Sequence, residues 1–199
     1  MSKTPHELCQ RMQGTIIATE RLDLRWFTLD DAPALQKICE SRQVAAMSGS
    51  IAHPYPEGKA EEFIREHSTK IEQGDAYVFA IIERSTGALL GDAMLIINKQ
   101  HHSAELGCLL MEECWSKGYA TELLASVIAY AFETLGLRRV WGVCSAENAA
   151  SARIMEKSGL EREGHFKDSY LKWGVWEDEY YYGLTRPVYE QRKLEQGKQ

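Results

Sequence analysis

The spacing of apolar positions changes several times along the chain, and each change predicts an element. Over residues 16–26, Leu22, Leu24 and Trp26 alternate with Arg21, Asp23 and Arg25, the mark of a strand with one buried face. Thr28 follows as an N-cap with Asp30 and Asp31 in the first turn, so a helix is expected to about Glu40. Pro54-Tyr55-Pro56 breaks the chain, and a second helix is expected over residues 59–73, stopping at Gly74. The period then drops to two, giving strands at 76–83, 89–98 and 103–111, the last two joined as a hairpin through 99–102. Helical spacing returns with Ala120, Leu123, Leu124, Val127, Ile128, Ala131 and Leu135, and Gly136 is a natural C′ residue. A short strand at 139–145, a helix capped by Asn148 and ended by Gly159, and strands at 160–171 and 176–184 complete the pattern.

This order predicts a mixed α/β sheet with helices on both faces, the helix after Gly118 crossing between two parallel strands. Residues 1–15 are expected to be a flexible segment, 16–186 a single domain, and 187–199 a polar, loose tail.

Composition narrows the classes. The 199 residues are 44% hydrophobic and 26% charged, as for an ordinary globular protein. A net charge of −6 argues against a nucleic-acid partner. The longest near-apolar run, Leu123 to Phe132, is too short to span a bilayer. Cys9, Cys39, Cys108, Cys114 and Cys144 are odd in number and widely spaced, which reads as reduced thiols in a cytoplasmic protein. His101-His102 would point to opposite faces of a strand, so no metal site is expected there. Tyr180, Tyr181 and Tyr182 read as packing on the last strand.

The segment Trp115-Ser116-Lys117-Gly118-Tyr119-Ala120-Thr121-Glu122 carries the most chemical information. A glycine turn that opens a helix leaves unpaired N–H groups at the positive end of the helix dipole, and these favour an anion. Neither G-x-x-x-x-G-K-[ST] nor G-x-G-x-x-G occurs, so a Walker loop and a dinucleotide fold are disfavoured.

In order along the chain stand Ala104-Glu105-Leu106-Gly107, Trp115 to Glu122, Asn148-Ala149-Ala150-Ser151 and Glu156-Lys157-Ser158-Gly159-Leu160. This combination resembles the GNAT superfamily of N-acetyltransferases. The opening Thr19-Glu20-Arg21-Leu22-Asp23-Leu24-Arg25 and the closing Trp176-Glu177-Asp178 resemble its RimJ/RimL-type branch. The resemblance runs from about Ile16 to Arg186 and implies the GNAT fold, with a mostly antiparallel central sheet. It also implies acetyl-CoA as acetyl donor. The family's pyrophosphate loop, R/Q-x-x-G-x-G/A, falls on Trp115 to Ala120, with Trp115 in place of the first arginine or glutamine. Lys117 is a possible substitute cation or a solvated lysine. Leu109, Leu110 and Met111 would lend backbone groups to the pantetheine arm, Asn148 would bond it, and Thr121 would complete the phosphate seat.

For chemistry, the resemblance implies Glu105 as general base and Ser151 as acid for the departing thiolate. Each has a structural alternative. Glu105 could be a paired edge glutamate, while Asn148 could simply cap its helix with Ser151 in the first turn. Cys108 and Cys114 flank the region, but buried cysteine is commonly inert, so direct attack in a ternary complex is expected over an acyl-cysteine. Tyr55, Phe63, Tyr170, Trp173 and Trp176 are candidates to line an acceptor site, with Asp168, Glu177 and Asp178 to attract a cation. The acceptor is a primary amine, on a protein N-terminus or on a small molecule such as a polyamine, amino sugar or amino acid. A coenzyme-A-binding module without activity is the other class. Monomer and homodimer both remain open.

Overall fold

The computed structural model describes residues 14–196. The segment expected to be flexible, residues 1–15, lies almost wholly outside that range.

The first expected strand is two. β1 (Ile17–Ala18) and β2 (Leu22–Trp26) pair antiparallel around a turn closed by the Thr19 N–H on the Leu22 carbonyl at 2.8 Å. Thr28 and Asp31 form a capping box, in which Asp31 Oδ2 accepts from the Thr28 N–H at 2.8 Å and its hydroxyl at 3.1 Å. It starts a 3-10 turn (Leu29–Asp31) that leads into α1 (Ala32–Glu40). The short α2 (Arg42–Met47), capped by Ser41, offers too few turns for its periodicity to register in the sequence. α3 (Lys59–Gln73) buries Ala60 and Ile64 and carries the Glu61–Arg65 and Glu66–Lys70 pairs on its outer face. It ends in a Schellman motif, with Gly74 left-handed and the Asp75 N–H on the Lys70 carbonyl at 2.9 Å.

β3 (Ala76–Glu83), β4 (Leu89–Asn98) and β5 (Ser103–Leu110) form a meander. α4 (Tyr119–Ala129), continued by one π turn (Tyr130–Thr134), crosses to β6 (Arg139–Ser145). Then come α5 (Ala149–Lys157) and the hairpin of β7 (Glu161–Lys172) and β8 (Val175–Thr185). The sheet order is β1-β2-β3-β4-β5-β6-β8-β7, and only β5 and β6 run parallel.

The tail expected to be loose is instead α6 (Arg186–Gln196). Its proline lies in the first turn, where no helical hydrogen bond is lost. Tyr189 stacks on Phe132 with centroids 4.7 Å apart, Lys193 pairs with Glu133 at 2.5 Å, and Arg186 donates to the Leu137 carbonyl at 2.9 Å. These partners are distant in sequence, which is why the polar pattern of the tail concealed them.

The sheet separates two cores. On one face, Leu123, Leu124, Val127, Ile128 and Phe132 pack on Phe79, Leu95, Leu106 and Val140. On the other, Leu35, Cys39 and Ile64 pack on Val78 and Ala80. Each large side chain fully buried here contributes about 1.5–3 kcal/mol.

Candidate functional site

Between Met111 and α4 the chain makes a 3-10 turn (Glu112–Cys114) and then a tight loop, with Ser116 at φ 60° and Gly118 at φ 81°. Gly118 occupies the N-cap position of α4 and brings no capping side chain, so the first N–H groups of the helix stay open. The loop is pinned from the start of the sheet. Arg21 donates to the Lys117 carbonyl at 2.9 Å and to Glu122 Oε2 at 2.7 Å. Its guanidinium lies 4.2 Å from the centre of the Tyr119 ring, and Nη2 would stand 3.4 Å from a Cβ on Gly118. Glu122 also accepts from the Thr19 hydroxyl at 2.6 Å and the Arg21 N–H at 2.8 Å. Burial alone would raise the Glu122 carboxyl, but these bonds outweigh it and hold it below the usual range. The Trp115 indole donates to the Leu110 carbonyl at 2.9 Å, so the residue that departs from the family loop serves as a structural pin.

β5 and β6 pair only at Ser103, Ala104 and Glu105, opposite Arg139, Val140 and Trp141. Beyond that the strands part, β5 running on to Leu110 and β6 to Ser145. The V-shaped gap leaves backbone groups without a ladder partner. Alternation decides which ones. The Met111 N–H bonds the Leu90 carbonyl at 2.8 Å, and the Leu109 carbonyl points at Gly91, where a Cβ would stand 2.0 Å away. Leu109 therefore turns its backbone groups into β4, and Met111 gives its N–H to Leu90 while its carbonyl accepts from the Cys114 N–H at 3.0 Å, which corrects the expectation that these two face a cofactor arm. Leu106, Cys108 and Leu110 face the gap, and a Cβ on Gly142 would stand 2.9 Å from the Leu106 carbonyl.

Glu105 lies opposite Trp141, on the α1/α3 face at the vertex of the gap. Burial first, then the charge of Glu179, raises its carboxyl above the ordinary value. Ser151 lies on the other face. Its N–H donates to Asn148 Oδ1 at 3.0 Å, and its hydroxyl lies near the Cys144 thiol. Asn148 is therefore the helix cap, with its amide NH₂ still free for another partner. Glu105 and Ser151 thus flank the gap from opposite faces. Cys108 is solvent-accessible, yet desolvation by the surrounding protein and then the Asp92 charge push its thiol up to about 12. It is not a ready nucleophile.

On the Glu105 face, register aligns Ser145 with Glu179, Glu179 with Phe166, and Glu177 with Tyr170. Glu177 Oε2 accepts from the Tyr170 hydroxyl at 2.5 Å and from Ser145 at 2.8 Å, bonds that lower its carboxyl, while Glu179 accepts from Ser169 at 2.5 Å. Lys172, nearly buried, donates to the Ser48 carbonyl at 2.8 Å and to the Ala46 carbonyl, tying the hairpin to the end of α2. Of the expected lining residues, Tyr170 and Glu177 meet here. Tyr55 sits by Cys39, and Phe63 packs on Phe27 and His67 in the smaller core. Trp176 projects from the opposite face and is exposed, and exposed Trp173 lies near Arg42 and His53 at the hairpin tip. Asp178 also projects from the opposite face, accepting from the Asp168 N–H at 2.9 Å and meeting His165 at 2.6 Å. Asp168, Asp178 and Trp176 are therefore not part of this surface.

Residues 21–161 match the family described as the acetyltransferase (GNAT) domain. The chain belongs to the GNAT family. Among similar proteins, the uncharacterized N-acetyltransferase YnaD of Bacillus subtilis is 31% identical over 169 residues, covering 84% of this chain and 95% of its own. The spermidine N(1)-acetyltransferase of Vibrio cholerae is 27% identical over 168 residues, covering 83% of this chain and 89% of its own. A solved structure described as a putative ribosomal-protein-serine acetyltransferase from Vibrio cholerae superposes with a TM-score of 0.73 at 27% identity, covering 87% of this chain and 98% of that one. The protein is an acetyl-CoA-dependent N-acetyltransferase with the GNAT fold.

Within this GNAT chain, three features of the site escaped sequence reading. Arg21 supplies the cation beside the loop that Trp115 does not. Glu179 stands near Glu105 across the face. Leu106 and Cys108, rather than their neighbours, face the gap. Only strand parity, once the register is known, could have revealed the last. No group of three or more metal-ligating side chains occurs among the described residues, and no helix there is long and apolar enough to cross a membrane.

Proposed function

We propose that this enzyme moves the acetyl group of acetyl-CoA onto a primary amine of a cationic acceptor, by direct attack in a ternary complex. The observation that carries the reading is the gap between β5 and β6. It has open helix N–H groups at its mouth, a half-buried carboxylate on one face and a hydroxyl on the other. The loop from Trp115 to Thr121, with Arg21 beside it, would seat the pyrophosphate. The gap-facing groups of Leu106, Cys108 and Leu110 and the Asn148 amide would bond the pantetheine arm. Glu105 takes the proton of the attacking ammonium, and Ser151 donates to the departing thiolate.

The acceptor reading leads with a protein N-terminal amine, as in the RimJ/RimL-type branch. An α-amine has a pKa of about 8 and needs only a modest base, whereas a lysine amine sits near 10.4. A polyamine is the second reading, supported by Glu105, Glu177 and Glu179 sharing one face and by the spermidine enzyme among the relatives. Free thiols at Cys39, Cys108, Cys114 and Cys144 suit a cytoplasmic enzyme.

Thermal unfolding with acetyl-CoA tests the donor. At about 100 times the dissociation constant, stability should rise by about 2.7 kcal/mol. No saturable rise at millimolar donor would overturn the donor assignment. Coenzyme A release, measured with basic N-terminal peptides and with polyamines, then assigns the acceptor. Hydrolysis without transfer to any amine would sink the transferase reading.

A further inference from the structure

The mechanism leaves a buried acid without an ion-pair partner unused. Asp92 lies on β4, on the same sheet face as Ala80 and Leu109, and is 4% exposed. Its Oδ2 is buried and has no hydrogen-bond partner among the described residues. The neighbours that feel its charge are Cys39 of α1, Tyr55 of the irregular segment 48–58, and Cys108. None is a cation. Cys39 and Tyr55 lie close to each other, and neither donates to Oδ2.

A buried carboxylate without a partner is a standing cost to the fold, and such groups are normally paired or bonded. Here an amide or a small apolar residue would suit the strand better. The position is informative. Leu109, its neighbour across the ladder, lies where β5 and β6 have already parted, and the face is the one that carries Glu105, Glu177 and Glu179. Leu109, on the same face as Asp92 and only half-buried, brings the open side of the gap to within one ladder position of the carboxylate.

We propose that Asp92 is an acceptor-binding residue whose free Oδ2 receives a second, non-reacting alkylammonium group of the acceptor. This rests on the acceptor side assigned under the proposed function and narrows it to amines that bear a further compact cation. The missing partner of the carboxylate is then the substrate itself, which supplies the hydrogen bond and the charge the protein withholds.

The test compares wild type with Asp92→Asn. The probes are 1,4-diaminobutane and, lacking the second charge, 4-amino-1-butanol. Binding is measured by calorimetry without acetyl-CoA, so it does not depend on turnover. The diamine should bind wild type more tightly than the amino alcohol, and the variant should lose about 10- to 100-fold of diamine affinity while the amino alcohol is unaffected. Acetyl-CoA affinity should not change. The variant's melting temperature should be equal or higher, since a purely structural acid would leave a less stable protein when replaced. Equal diamine affinity in the two proteins overturns the proposal. So does a large loss of stability in both Asp92→Asn and Asp92→Ser, which would make the acid structural. If wild type binds the diamine through Asp92 but transfers no acetyl group, the transferase reading fails and this one stands.

Discussion

The two sides of the gap are built from different materials. On the proposed donor side, a short run from Trp115 to Thr121 would make the seat, largely with backbone N–H groups, and distant side chains only brace it. On the proposed acceptor side, Asp92, Glu105, Glu177 and Glu179 come from three strands, and only the register of the sheet sets them on one face. Backbone recognition tolerates changes of side chain, as Trp115 illustrates: it stands where the loop pattern has arginine or glutamine, and its indole instead pins the Leu110 carbonyl. Side-chain recognition does not.

The sharpest way to break this contrast is Gly118→Asp. It places a like charge at the phosphate seat and a side chain at φ 81°, so acetyl-CoA binding should be abolished while the fold persists. Unchanged affinity by calorimetry would show that the seat lies elsewhere.

Asp92 should dominate the pH dependence of stability on the acceptor side. Burial raises its carboxyl from 3.8 to about 7, so the folded protein holds its proton more tightly than the unfolded chain. Stability is fullest below the unfolded value and is lost as pH rises through about 7. At about 1.36 kcal/mol per pH unit, the rise to about 7 amounts to about 4 kcal/mol at most. Denaturant unfolding between pH 4 and 8 should show this decline in wild type and not in Asp92→Asn. Parallel profiles for the two proteins would contradict the assignment.

Glu105→Gln should lower kcat by at least about 100-fold, in the range for loss of a general base, and leave acetyl-CoA affinity unchanged. If turnover survives, Glu105 belongs to the fold alone. Ser151→Ala should be milder, about 10-fold in kcat, because thiolate is already a good leaving group; equal activity would remove its role. The smallest effect is expected from Glu179→Gln. Removing that neighbouring charge should lower the Glu105 carboxyl and move the acid limb of kcat/KM to lower pH. An unmoved limb would mean that a different group is the base.

Strand and helix assignments were largely legible because the apolar period is strong where the cores are thick. The strands at 76–83, 89–98 and 139–145 and the helix at 59–73 lie where the pattern placed them. The reading failed where local signals are weak. The turn at Thr19 to Arg21 has no glycine or proline to mark it, α2 is too short, and α6 is polar and fixed by Phe132, Glu133 and Leu137. Within the site, the loop and the cap at Asn148 were visible as contiguous motifs. The direction of each backbone group along β5 was not, because a one-residue change of register reverses every one of them.

By itself, then, the sequence determined most of the elements, the glycine-opened helix and the family, since periodicity, caps and short motifs are local properties of consecutive residues. Tertiary structure alone decided that Arg21 braces the loop across about a hundred residues, that Glu179 neighbours Glu105, and that Asp92 Oδ2 is buried without a partner among the described residues. Those facts depend on strand order and register, which arise when segments far apart in the chain share one core.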